Sequence, residues 1–273
     1  MKRRDTEGSH KLGDEFFEKA NIFDLQGLLI NTEGKFSASI EAFELTEREV
    51  FSISSAFSEK ELHAKMLLSE KLKIPFYIIT YVDKDSFFSI YNIVREQENV
   101  VIGSSEKYSF DKFIGWWRGL KGTLQTKTLH EAGLRIAKSK VDQILAKENL
   151  AWGGNVDGFI VSKDGKNILG VLEKRLSTRA HLNNYDPAHY FSSKHNRGGD
   201  YRTWHPLITL SNILSCPLFL LTLHQHNDSK FGLAVIDNIE DDTLSYKSPP
   251  PCDNLFEDIT KAKHWMYDYM PRI

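Results

Sequence analysis

The chain has 273 residues, room for one large domain or two small ones. Hydrophobic residues make up 41% and aromatics 12%, enough to build a packed core, and two cysteines exclude a disulfide-rich scaffold and a cysteine-built zinc site. The 35 Lys+Arg almost balance the 37 Asp+Glu, which excludes a uniformly basic nucleic-acid coat but leaves room for a local basic groove.

No apolar run approaches the roughly 20 residues needed to cross a bilayer. The basic start, Met1-Lys2-Arg3-Arg4-Asp5, is not followed by an apolar stretch, so no signal peptide is expected. These features predict a cytoplasmic protein with no membrane partner.

In chain order, a helix is predicted over 12–20. A strand from Gly27 enters a tight turn at Glu33-Gly34, and a second strand follows over 36–43. Leu62, Met66, Leu67 and Leu72 recur at helical spacing. Pro75 stops that helix, and the continuous apolar run after it reads as a strand buried on both faces. Another strand is predicted over 87–93.

Trp116 and Trp117 lie in the stretch 107–127, where a boundary is expected, and paired tryptophans there suit a plug between domains. The order then repeats. A helix over 128–148 precedes a strand at Gly158, a turn at Asp164-Gly165 and a strand over 167–175. Trp204, Leu207, Ile208 and Ile213 mark a helix that ends before Pro217, and an apolar strand and a further strand over 231–236 follow. An amphipathic helix over 255–269 closes the chain. The repeat predicts an α/β fold of two tandem units, 1–120 and 121–273, each a mixed sheet flanked by helices.

The second unit carries the chemistry. Asp157 opens one hairpin strand, and Glu173-Lys174-Arg175 closes the next. Alternation puts Glu173 and Arg175 on one face and turns Lys174 to the other. Across an antiparallel hairpin Asp157 falls near Glu173. Two converging carboxylates suit a hard divalent cation such as Mg²⁺, which activates water and neutralises charge building on a phosphate.

This pattern of helix, Asp, hairpin, Glu-x-basic, helix and strand resembles the PD-(D/E)xK nuclease superfamily, which includes type II restriction endonucleases. The resemblance spans about 128–237, and more weakly 12–93. It implies a restriction-endonuclease-like fold and a Mg²⁺-dependent DNA endonuclease. Asp157 and Glu173 would hold the metal, and Arg175 or Lys174 would take the place of the superfamily lysine. Val156 stands where that motif has Pro, and Arg175 where it has Lys. Arginine stays protonated and is a poor base. The alternative is a catalytically inactive nuclease-fold protein that binds nucleic acid or serves assembly.

In the first unit Glu41 aligns with Glu173, Gln26 falls near Asp157, and Phe43 takes the basic position. That unit is expected to lack a basic partner and a clear acid pair.

From Gly158 to Pro217 the second unit is longer than the first from Gly27 to Pro75, and the extra residues lie within 177–204. Arg179, Lys194, Arg197 and Arg202, interleaved with Tyr185, Tyr190, Tyr201 and Trp204, suit phosphate contacts and stacking on double-stranded DNA. Two units in one chain would mimic half of a dimer, or one would position DNA for the other, and a homodimer is a candidate assembly. On the helix before Asp157, the resemblance adds Glu131 and Glu148 as candidate metal ligands. His224 and His226 share a strand face but have no third partner for zinc.

Overall fold

A computed structural model describes residues 1–4, 10–82, 87–121, 139–148, 150, 152–178, 181–190, 199–240 and 243–272. The strands are β1 (Lys2–Arg3), β2 (Ile22–Ile30), β3 (Phe36–Leu45), β4 (Phe76–Val82), β5 (Phe87–Glu96), β6 (Asn99–Ser109), β7 (Gly154–Val161), β8 (Ile168–Ser177), β9 (Leu218–His224), β10 (Asn227–Glu240), β11 (Thr243–Tyr246) and β12 (Leu255–Phe256). The helices are α1 (Lys11–Ala20), α2 (Ile53–Ala56), α3 (Glu59–Leu72), α4 (Phe110–Lys121), α5 (Lys140–Lys147), α6 (Gly199–Leu214) and α7 (Ile259–Tyr267). The protein is therefore mixed α/β. None of the described helices is long and apolar enough to cross a membrane.

Two compact units emerge, Met1–Glu7 with Leu25–Asn155, and Gly8–Asp24 with Val156–Ile273. This division differs from a cut at 120. Helix α1 goes with the later unit, and α5 with the earlier one. Amphipathicity explains how a helix can leave its neighbours in sequence. The apolar stripe of α1, with Leu12 and Phe16 buried, joins Leu172, Phe219, Leu221 and Leu233. Val141 and Leu145 of α5 join Leu29, Ile40 and Ile79. A stripe buries itself where complementary surface exists, whatever the sequence order.

In the earlier unit β2 pairs antiparallel with β3, β3 parallel with β4, and β4, β5 and β6 continue antiparallel. In the later unit β7 pairs antiparallel with β8, β8 parallel with β9, and β9, β10 and β11 continue antiparallel. The registers also agree. Ser39 N donates to Pro75 O at 2.9 Å, and Val171 N donates to Pro217 O at 2.9 Å. Gly34 and Gly165 sit at φ 76° and 72° in their hairpin turns, a region open to glycine. Lys73 and Ser215 end their helices in the left-handed conformation just before each proline.

Two elements depart from expectation, and a third is described only in part. The last helix begins at Ile259, because Leu255–Phe256 pairs with β10 and Asp258 caps the helix. The helix expected over 128–148 is described only from Lys140 to Lys147, and its first part lies outside the described residues. The tryptophan pair belongs to one core. Trp117 is fully buried, packs against Phe113 and Trp152, and sits with Trp116 inside the earlier unit.

Gly232 marks a tight approach. A Cβ there would lie 2.4 Å from Thr222 Oγ1 and 2.5 Å from the carbonyl oxygen of Pro251. Gly232→Ala is expected to destabilise the protein by about 1–3 kcal/mol through overpacking, read as a lowered denaturation midpoint.

Candidate functional site

The hairpin register carries the site. Gly158 faces Leu172, so Asp157 and Glu173 fall opposite each other on neighbouring strands. Asp157 Oδ2 accepts a hydrogen bond from Lys174 N at 2.9 Å, taking a ladder position with a side chain. Glu173 is 6% exposed. Arg175 shares its face, with Nε 2.9 Å from Glu173 Oε1. That contact is an ion pair off the hydrogen-bonding line, and Arg175 Nε and Nη2 are buried with no hydrogen-bond partner among the described residues. The guanidinium lies over the ring of Trp204, 5.3 Å from its centroid. Lys174 turns the other way, its ammonium 5.9 Å from the Phe17 ring centroid. Of the two basic candidates, only Arg175 reaches the face of the acids.

The earlier unit repeats this geometry with different chemistry. Gly27 faces Ile40, which sets Gln26 opposite Glu41. Gln26 Oε1 accepts from Ala42 N at 2.9 Å, as Asp157 does from Lys174. Glu41 is fully buried, but it is not alone. Lys65 Nζ, also fully buried, donates to Oε1 at 2.7 Å, and Gln26 N donates to the same oxygen at 3.2 Å. Arg3 on β1 adds Nη2 at 3.0 and 2.9 Å and Nε at 3.1 Å. The expectation that this unit lacks a basic partner is therefore wrong. The cations arrive from α3 and from the N-terminal strand, not from the strand that carries the glutamate.

A sequence signal for Lys65 existed. It lies three residues after Leu62 and three before Leu68 on the helix, so it falls on the apolar stripe rather than the wet face. A lysine there must find a carboxylate inside. The equivalent helix position in the later unit, counted from Pro217 as Lys65 is from Pro75, is Leu207, which is buried and apolar.

The basic and aromatic stretch over 177–204 is described only in part. Arg179, Lys194 and Arg197 lie outside the described residues, as does Glu131, and only the backbone of Arg202 is described, within α6. Tyr185 is half-buried after a short helical turn over Leu182–Asn184. Trp204 is 2% exposed, which corrects its expected role in stacking on bases. Glu148 pairs with Arg118 at 3.0 Å in the earlier unit, whereas Asp157 and Glu173 belong to the later one. His226 N donates to His224 Nδ1 at 3.1 Å, so that ring nitrogen is already engaged.

Carboxylate oxygens are the donors that Mg²⁺ takes, and one or two carboxylates with waters and phosphate oxygens complete its octahedron. Asp157 and Glu173 fit that requirement in kind. Among the described residues no group of three or more His, Cys, Asp or Glu side chains converges as a metal site. No family model, curated protein or solved structure matches the chain.

Elsewhere in the earlier unit, burial lowers the Lys121 ammonium to about 8, with Trp152 O accepting from it at 3.0 Å. An unfolded lysine near 10.4 then binds more protons than the folded one between those values, so this group favours folding more as pH rises from about 8 to about 10. Lys121→Met is expected to raise stability at pH 7 and to flatten that rise, read by urea unfolding across the window. Removing Glu41 alone, as Glu41→Leu, leaves Lys65 buried and is expected to cost about 3–5 kcal/mol, much of it recovered in Glu41→Leu/Lys65→Leu. Chemical denaturation of the two variants checks this.

Proposed function

We propose that the later unit is a PD-(D/E)xK-type nuclease module that hydrolyses phosphodiester bonds of DNA with Mg²⁺, and that the earlier unit is a duplicated, inactive copy. The observation that carries this reading is the cross-strand pair Asp157 and Glu173, with Arg175 on the same face, on a hairpin whose second strand pairs parallel with the strand after a helix. The matching register of the two units supports duplication.

Asp157 and Glu173 would hold the ion, which when bound supplies charge neutralisation at the phosphate and a more acidic water. Arg175 has the remaining task. Its Nε and Nη2 are buried donors without a hydrogen-bond partner among the described residues, a costly state that a phosphate oxygen relieves. Always protonated, it stabilises charge and does not take a proton. Lys174 contributes its backbone N–H, which fixes the Asp157 carboxylate. In the earlier unit Lys65 and Arg3 already neutralise Glu41, and Gln26 offers no second carboxylate.

One observation favours a second reading. Arg175 stands 2.9 Å from Glu173, much as Lys65 stands against Glu41, so an internal cation would serve both units and leave an inactive nucleic-acid-binding protein.

Plasmid cleavage in Mg²⁺ separates the two. Nuclease chemistry predicts nicking or linearisation by the purified protein and a loss of more than about a hundredfold in Glu173→Ala, since even outer-shell partners of a metal cost 10–100-fold. Cleavage by Glu173→Ala at the parent rate overturns the site. No cleavage with DNA binding retained favours the second reading.

A further inference from the structure

A small cavity of about 230 Å³ opens in the later unit, at the end of β9. His181, Asn183, His224, Ser229 and Lys230 line it, with Leu255 as an apolar wall. Every polar side chain in that set can donate a hydrogen bond, and no carboxylate is among the described residues that line it. The bond from His226 N to His224 Nδ1 puts the proton of a neutral His224 ring on Nε2, a donor. Lys230 does reach Glu257 Oε1 at 2.8 Å, but both side chains are more than half exposed, and such a pair is cheaply exchanged.

The cavity is placed relative to the candidate site by the sheet. Arg175 pairs with Thr222, and Ser177 with His224, in the parallel ladder of β8 and β9. Alternation then puts the His224 side chain on the same sheet face as Glu173 and Arg175, about 13 Å further along the strand direction from Glu173. A donor-lined hollow at that reach from a phosphodiester site suits an oxyanion.

We propose that this cavity is a phosphate-binding subsite, and that it holds a backbone phosphate of the same nucleic acid that lies over Glu173 and Arg175. The assignment rests on the nuclease reading for the identity of its ligand, but not for its anion chemistry. The phosphate is recognised by charge and donors, so it contributes affinity and register without reading sequence.

The experiment has two arms, both on the full chain. Inorganic phosphate is titrated while the ring resonances of His181 and His224 are followed by NMR. A short DNA duplex is titrated by fluorescence anisotropy, without Mg²⁺, across salt concentrations. Saturable shifts of both rings are expected in the parent and are expected to vanish in Lys230→Met. Duplex affinity is expected to fall about tenfold in Lys230→Met and in His181→Ala, with the salt slope reduced by about one in Lys230→Met, which removes a cation. Unchanged thermal midpoints show that the variants fold.

The absence of saturable ring shifts in the parent overturns the anion site outright. Ring shifts with duplex affinity unaltered in both variants overturn its assignment to a nucleic-acid backbone. Failure of the parent to cleave DNA, with both binding results intact, counts against the catalytic reading alone.

Discussion

A carboxylate buried on a sheet beneath a helix must be matched by positive charge, and much of this protein follows from how each unit meets that demand. Glu41 and Glu173 occupy the same hairpin position, next to the parallel strand, with almost no exposure. Removing such a charge from water costs several kcal/mol, repaid only by a well-placed cation and further hydrogen bonds. Glu41 receives Lys65, Arg3 and the Gln26 amide. Glu173 has Arg175 at its side and Leu207 where Lys65 would stand. One helix position, Lys65 in the earlier unit and Leu207 in the later, distinguishes the surroundings of the two glutamates.

This logic also gives the N-terminal basic residues their purpose. Arg3 reaches Glu41 from β1, and Arg4 Nε donates to Asp142 Oδ1 at 2.9 Å while its guanidinium lies 4.0 Å from the Trp152 ring centroid. Two adjacent arginines thus tie one short strand to a sheet and to a helix of the earlier unit. Their charge is spent inside the fold, so the near-neutral composition says little about what faces a ligand.

The hairpins, the helix-to-strand prolines and the face shared by Glu173 and Arg175 were legible in the sequence because each follows from local rules: turn glycines, a missing N–H, and period-two alternation. The exchange of α1 and α5 was not, because an apolar stripe such as Leu12 and Phe16 does not name its partner surface. The place of Lys65 on an apolar stripe was legible, but its pairing with Glu41 was not, for a related reason. Its partner lies 24 residues away on β3, and only the sheet register brings them together. Trp204 reads as a stacking aromatic in a basic stretch, yet the helix periodicity that includes Leu207 and Leu210 turns it inward.

The central claim is that the later unit holds one divalent ion between Asp157 and Glu173 and the earlier unit holds none. Mn²⁺ titration of the full chain, followed by electron paramagnetic resonance, measures this directly. One bound ion per chain, abolished by Asp157→Asn and retained in Gln26→Ala, is the predicted result. No bound ion, or one that survives Asp157→Asn, would contradict it.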